Sequence, residues 1–188
     1  MTPRTLLDIL RVAERLKDTT RHCYTSGGRH ESVAEHSWRM TLMAYMVGPL
    51  FPEADINKVI KMCLIHDLGE CFTGDIPAFD KTDADRVTEE QLLNNWVQTL
   101  PEPIRSEWIA LYAEMDARET LEAKLYKAMD SLEAVIQHNE SDISTWTDHE
   151  YELNVTYGYD KVAFSPYLTA VRDEMKRDTL AKIEAAKA

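Results

Sequence analysis

Ile65-His66-Asp67-Leu68-Gly69-Glu70, running on to Thr73-Gly74-Asp75, puts a histidine, two aspartates and a glutamate within ten residues. The stretch directly follows an apolar run, Val59-Ile60-Lys61-Met62-Cys63-Leu64-Ile65. Charged groups attached to a segment that packs into a core need partners, because an unpaired ion is costly to bury. A metal ion is one such partner. The other ligands of such a site must come from elsewhere in the chain.

Upstream, Ser32-Val33-Ala34-Glu35 has the form of a capping box, and the helix it starts should run to about Val47, before Gly48-Pro49. His36, Met40, Met43 and Val47 share one face of that helix. A lone histidine on such a stripe is more often a core residue than a ligand, but His66-Asp67 shifts the balance toward a ligand. Asp18 to Glu31 reads as a polar, glycine-containing loop carrying Arg21, His22, Arg29 and His30. It is either a solvated surface loop or a source of cationic contacts to an anion. Earlier still, Thr2-Pro3 is a helix start, followed by Leu6, Leu7, Leu10, Ala13 and Leu16 at helical spacing.

Asp55 is placed to cap the helix that carries the apolar run, with its end expected near Leu68-Gly69. Downstream, helices are expected over about Asp83 to Leu100, Ile104 to Met115 and Glu119 to His138, with a final one from Ser165-Pro166. No stretch reads as a strand, so the fold class is all-α, a single-domain helical bundle over residues 1–188. Asp130 lies opposite Leu121 on the helical wheel, which places it toward solvent. Ala123, Tyr126 and Ala134 surround that same side, which fits a helix buried on two faces.

The 188 residues suffice for one domain with a substantial core. A formal net charge of −12 argues against long DNA or RNA as a partner, though not against a small phosphorylated substrate. No apolar run approaches the ~18 residues of a membrane span. Asp8, Arg11, Glu14 and Arg15 come too early for a signal peptide, so the expected location is the cytoplasm. Cys23, Cys63 and Cys71 are odd in number and form no C-x-x-C pair, which disfavours a disulfide framework or a zinc knuckle.

Hydrolysing a phosphate ester needs an attacking water, an electrophilic clamp on the phosphoryl oxygens, and a proton for the leaving oxygen. A divalent metal can supply the first two. Mixed imidazole and carboxylate ligands suit a transition metal better than calcium.

The ordered set of Ser32, Glu35 and His36, then His66, Asp67, Glu70 and Asp75, then Asp130 in Lys127-Ala128-Met129-Asp130-Ser131-Leu132-Glu133, resembles the H…HD…D signature of the HD-domain phosphohydrolases. The resemblance covers about Arg21 to Tyr167 and is greatest to the bacterial 5′-deoxynucleotidases. These cleave a deoxynucleoside 5′-monophosphate to the nucleoside and inorganic phosphate. It implies a helical bundle, commonly a homodimer, with one divalent ion (Mn, Co, Zn or Mg) on His36, His66, Asp67 and Asp130. Glu70 matches the family's catalytic acid, which would activate or orient the attacking water. Arg21 matches the arginine that orients the phosphate. His22 stands where the nucleotidases carry a tryptophan beside the base or sugar. Asp75 and Ile76-Pro77-Ala78 match the segment lining the sugar, where an aspartate would favour deoxyribose. The proton for the leaving group would come from Asp75 or bulk water. Arg29, Glu31, Glu35 and Lys127 are either supports of this site or ordinary surface charges.

Three other readings compete. One is another HD chemistry on guanosine tetraphosphate, a nucleoside triphosphate or a cyclic nucleotide. A second is HD-type oxidation, which needs two metals; His22, His30, His138 and His149 lack obvious spacing for a second one. The third is a nucleotide-binding regulatory module without catalysis, against which Glu70 and Arg21 argue.

Overall fold

The structure, a computed structural model, describes residues 1–77 and 80–187. Helix α1 (Pro3–Ala13) starts where the sequence places it: the Thr2 hydroxyl accepts from the Thr5 amide at 3.1 Å, with proline in the first turn. No residue of α1 is buried, and Leu6, Leu7 and Leu10 are exposed. Of the apolar positions read there, Leu16, in the 3-10 turn that follows, is the one that enters the core.

The segment read as a loop is largely a hairpin. Strand β1 (Thr20–Tyr24) pairs antiparallel with β2 (His30–Ser32), Thr20 opposite Ser32 and Tyr24 opposite His30, with an irregular register between them. The expectation of no strand therefore fails here. Thr-Arg-His-Cys-Tyr and His-Glu-Ser are short and lack an alternating apolar run, so periodicity carries no signal. What holds them is backbone pairing, and Cys23, Glu31 and Ser32 turn inward.

Ser32 ends the hairpin and caps α2 (Val33–Val47): the Glu35 amide donates to its hydroxyl at 3.2 Å, and its own amide donates to the Glu35 carboxylate at 2.9 Å. His36, Met40 and Ala44 are buried on the inward face. Asp55 caps α3 (Ile56–Ile65) through the Lys58 amide at 3.2 Å. This helix stops at Ile65, earlier than expected. The chain then turns through His66-Asp67-Leu68-Gly69 and makes one further helical turn, α4 (Glu70–Thr73). Gly74 follows at φ +78°, a left-handed backbone that favours glycine and redirects the chain into Asp75.

The remaining elements are α5 (Asp83–Val97), α6 (Ile104–Ala117), α7 (Leu121–Glu140), α8 (Asp148–Thr156), α9 (Tyr159–Val162) and α10 (Pro166–Ala185). Four of these agree with the expected helices to within a few residues; Ser165 caps α10 through the Leu168 amide. Helix α7 is the axis of the bundle, packed against α2, α3, α6, α9, α10 and β1. Its Leu125, Met129 and Leu132 meet Met40, Val59 and Cys63 in one core cluster. A second cluster joins Leu16, Val33, Met62 and Ile65 to Leu111 and Met115 of α6. Each fully buried side chain of this size contributes about 1.5–3 kcal/mol relative to exposure. Cys23, Cys63 and Cys71 are free and buried. Among the described residues, no helix is long and apolar enough to cross a membrane.

Candidate active site

The turn after α3 is fixed by its own backbone. His66 Nδ1 lies 3.0 Å from the Cys63 carbonyl, which can only accept, so Nδ1 is the donor and the ring is fixed with Nε2 turned the other way. Tyr112 donates to the adjacent Ile65 carbonyl at 2.6 Å. His66 Nε2 is buried and makes no hydrogen bond among the described residues, yet it lies 2.9 Å from Asp67 Oδ2. A ring nitrogen and a carboxylate oxygen brought together in this way fit a cation held by both.

Two further elements complete the group. From α2, His36 Nε2 lies 3.3 Å from Asp130 Oδ1 and 3.9 Å from Asp67 Oδ2. From α7, Asp130 Oδ1 lies 3.9 Å from His66 Nε2. His36, His66 and Asp67 each offer one ligand atom within 4.8 Å of the others. The outer atoms are braced. His36 Nδ1 is bonded to the Glu133 carboxylate, and Lys127 Nζ holds Asp130 Oδ2 at 2.5 Å. Burial acts to raise the Asp130 carboxyl, but Lys127 and the two imidazoles hold it well below its ordinary value. This set of imidazole nitrogens and ionised carboxylates, each oriented by an outer partner, fits a divalent transition metal.

Asp130 resolves the ambiguity on its helical wheel. One side of α7 carries Leu125, Met129 and Leu132 into the core, and the other carries Asp130, Ala134 and His138 to the wall of a cavity of about 200 Å³. Arg21, Asp67 and Glu70 line the same cavity. Glu70 opens α4 and is 5% exposed, with no hydrogen-bond partner for Oε2 among the described residues. Burial, then Asp67, Asp75 and Glu89, push its carboxyl up to about 11. A divalent cation beside Asp67 would lower it.

Arg21 comes from the hairpin. Its guanidinium donates to Glu31 at 2.8 Å and to Glu133 at 3.1 Å, while Arg39 Nε donates to the other Glu133 oxygen at 2.7 Å. Fully buried Glu133 thus joins His36, Arg21 and Arg39. Sequence reasoning gave neither Glu133 nor Arg39 a role; the one signal for Glu133 is its place one turn beyond Asp130. Of the four residues left open, Glu31 and Lys127 support the site, whereas Arg29 and Glu35 pair with each other at the surface.

The structure brings His22, Asp75 and Pro77 to this cavity as well. Ile76 is half-buried but does not line it, and Ala78 lies outside the described residues. His22 Nε2 sits 3.1 Å from Glu150 Oε1 of α8. Lys81 and Arg86, which sequence pattern did not mark, line both this cavity and an adjoining one of about 530 Å³ that also reaches His66 and Asp67.

Comparison with known proteins agrees with this geometry. The HD domain family matches residues 13–172. The chain is 32% identical over 141 residues to 5′-deoxynucleotidase HDDC2 of Homo sapiens, covering 73% of this chain and 68% of that protein. It is 32% identical over 109 residues to the dATP triphosphohydrolase of Cyanophage S-2L, covering 56% and 55%. Its fold superposes on a crystal structure of a predicted metal-dependent phosphohydrolase from Magnetospirillum magnetotacticum MS-1, with TM-score 0.71, 26% identity, and 93% and 95% of the two chains covered. With His36, His66-Asp67 and Asp130 converging as they do, and the family matched over most of its length, the chain belongs to the HD domain family.

Proposed function

We propose that the protein hydrolyses nucleoside 5′-monophosphates, deoxynucleotides in particular, to nucleoside and inorganic phosphate, using one divalent ion on His36, His66, Asp67 and Asp130. The observation that carries this reading is the meeting of those four side chains at the edge of one cavity, which His36, Asp67 and Asp130 line together with buried Glu70 and with Arg21. Zinc, manganese, cobalt and magnesium are the candidate ions. When bound, such an ion supplies Lewis-acid charge to the phosphoryl oxygens and makes water a better nucleophile at neutral pH.

The chain's own residues do the rest. Glu70 takes the proton of the attacking water at its unpartnered Oε2. Arg21, held by Glu31 and Glu133, presents a charged planar group to the phosphoryl oxygens. Asp75 and Pro77 face the sugar, with His22 beside the sugar or base and Ile76 and Ala78 completing the segment. The leaving oxygen takes its proton from Asp75 or from bulk water. Likeness to the deoxynucleotidase of Homo sapiens supports the substrate class.

A nucleoside triphosphate is the second reading. The adjoining cavity offers room for further phosphates, with Lys81, Arg86 and Arg118 on its wall beside Asp67, Glu89, Glu90 and Asp116. Matched ribo- and deoxynucleoside mono-, di- and triphosphates, assayed by product identity, decide between them. Cleavage of deoxynucleoside monophosphates to nucleosides supports the first reading. Cleavage of triphosphates alone overturns it.

The protein is further proposed to work in the cytoplasm as a homodimer. Trp38, Leu42, Tyr45 and Met46 form an exposed apolar stripe along the outer face of α2, which a second copy would cover. Light scattering on wild type and Trp38→Glu tests this: a dimer that becomes a monomer supports it, and a wild-type monomer refutes it.

A further inference from the structure

We propose that His22, His138 and Glu150 form a second divalent-cation site, separate from the one at His36 and open to the same cavity. The three residues come from β1, α7 and α8. His22 Nε2 lies 3.1 Å and His138 Nε2 3.5 Å from Glu150 Oε1, and the three ligand atoms fall within 4.8 Å of one another. Ligands about 2.0–2.2 Å from a tetrahedral zinc stand roughly 3.3–3.6 Å apart. The trio is thus near ligand spacing and needs only small side-chain adjustments.

Two of the three members, His138 and Glu150, are prepared for ligation. The Thr147 amide donates to Glu150 Oε2 at 2.6 Å, which leaves Oε1 for the imidazoles. Burial pushes His138 down to about 4, so its ring is neutral at pH 7. Burial acts to raise Glu150, but hydrogen bonds from His22 and Thr147 bring it down to about 2, so it is ionised. Neutral imidazole and ionised carboxylate are the ligating forms. The backbone under His138 is tied down: Trp146 Nε1 donates to its carbonyl at 3.0 Å, and the Trp146 ring meets the imidazole edge-on.

Access and charge also fit. His22 and His138 line the cavity, and the His22 side chain is 28% exposed, which gives an ion a route in. Neighbouring Arg21 would repel a cation, but Glu31 and Glu133 hold and offset its charge. Two histidines and one glutamate are a ligand set that binds zinc with a fourth position open. The set shares no residue with His36, His66, Asp67 and Asp130, so the two ions would bind independently and without a bridging carboxylate. Two of the four histidines that lack metal spacing along the chain, His22 and His138, acquire it in the fold.

The test is zinc stoichiometry of the metal-stripped full chain, by titration and elemental analysis after gel filtration. Wild type should bind two equivalents per chain. Asp67→Asn should lose one, and His138→Gln and Glu150→Gln should each lose the other. In Glu150→Gln the side-chain amide oxygen can still accept from the Thr147 amide, and circular dichroism checks that each variant is folded. Cobalt added to Asp67→Asn should give the visible absorption of a four-coordinate site, and His138→Gln in that background should remove it. A wild-type stoichiometry of one that Asp67→Asn abolishes overturns this proposal and leaves the first site standing. Two equivalents unaffected by both His138→Gln and Glu150→Gln overturn it as well.

Discussion

The two groups of imidazole and carboxylate on the cavity wall are supported in different ways. Around His36, His66, Asp67 and Asp130 the support is largely charge: Glu133 behind His36 and Lys127 behind Asp130, with Arg21 and Arg39 sharing Glu133. Around His22, His138 and Glu150 it is local and backbone-based: the Thr147 amide on Glu150, and the Trp146 indole on the His138 carbonyl. The first group is therefore wired into a buried ion network, and a change at one member should reach the others. The second should be separable from its surroundings.

The most direct way to break this contrast is at Glu70. Glu70→Gln keeps the size and removes the base, so turnover should fall by about 10²–10⁴-fold. Metal content should not change. Equal turnover in the variant would remove Glu70 from the mechanism.

Glu133→Ala comes next. It leaves Arg21, Arg39 and His36 without their shared carboxylate, and removing one partner of a buried ion network costs about 3–5 kcal/mol. Urea unfolding should show that loss, and metal affinity should drop about 10–100-fold because His36 loses its orienting partner. A stability change below about 1 kcal/mol would show that the network is not coupled as described.

The second group should reveal itself through pH. The ordinary His138 value of 6.5 falls to about 4 in the fold. A depressed value means that the unfolded chain binds the proton more readily. Its contribution to stability is therefore full above about 6.5 and is lost as pH falls toward about 4. The loss should reach a few kcal/mol at most in metal-free protein, read as denaturation midpoint against pH. His138→Gln should flatten that slope; an unchanged slope would place the titrating group elsewhere.

The smallest effect should come from the exposed Arg29–Glu35 pair. Arg29→Ala should leave both melting temperature and turnover at wild-type values. A large loss of activity would give Arg29 a role at the site.

Much of this architecture is legible in sequence where local chemistry decides it. The Ser32–Glu35 capping box, Asp55, Thr2-Pro3 and Ser165-Pro166 all start helices as read, because capping depends on residues three or four positions apart. Family resemblance, not periodicity, singled out Asp130. On a helix buried on two faces, the wheel cannot tell a cavity wall from solvent. The hairpin escaped because short strands held by backbone pairing carry no apolar alternation. Glu133 and Arg39 escaped because their partners lie 94 and more positions away in the chain. The His22–His138–Glu150 group escaped for the same reason: its spacing exists only once β1, α7 and α8 have packed.

The most direct measurement is phosphate release from deoxynucleoside 5′-monophosphates by metal-stripped protein, with zinc, manganese, cobalt or magnesium added back, for wild type and Asp67→Asn. No release is expected without metal; at least one of the four ions should restore it in wild type, and none in Asp67→Asn. Release that survives stripping, or full activity in Asp67→Asn, would contradict the proposed metal-dependent hydrolysis.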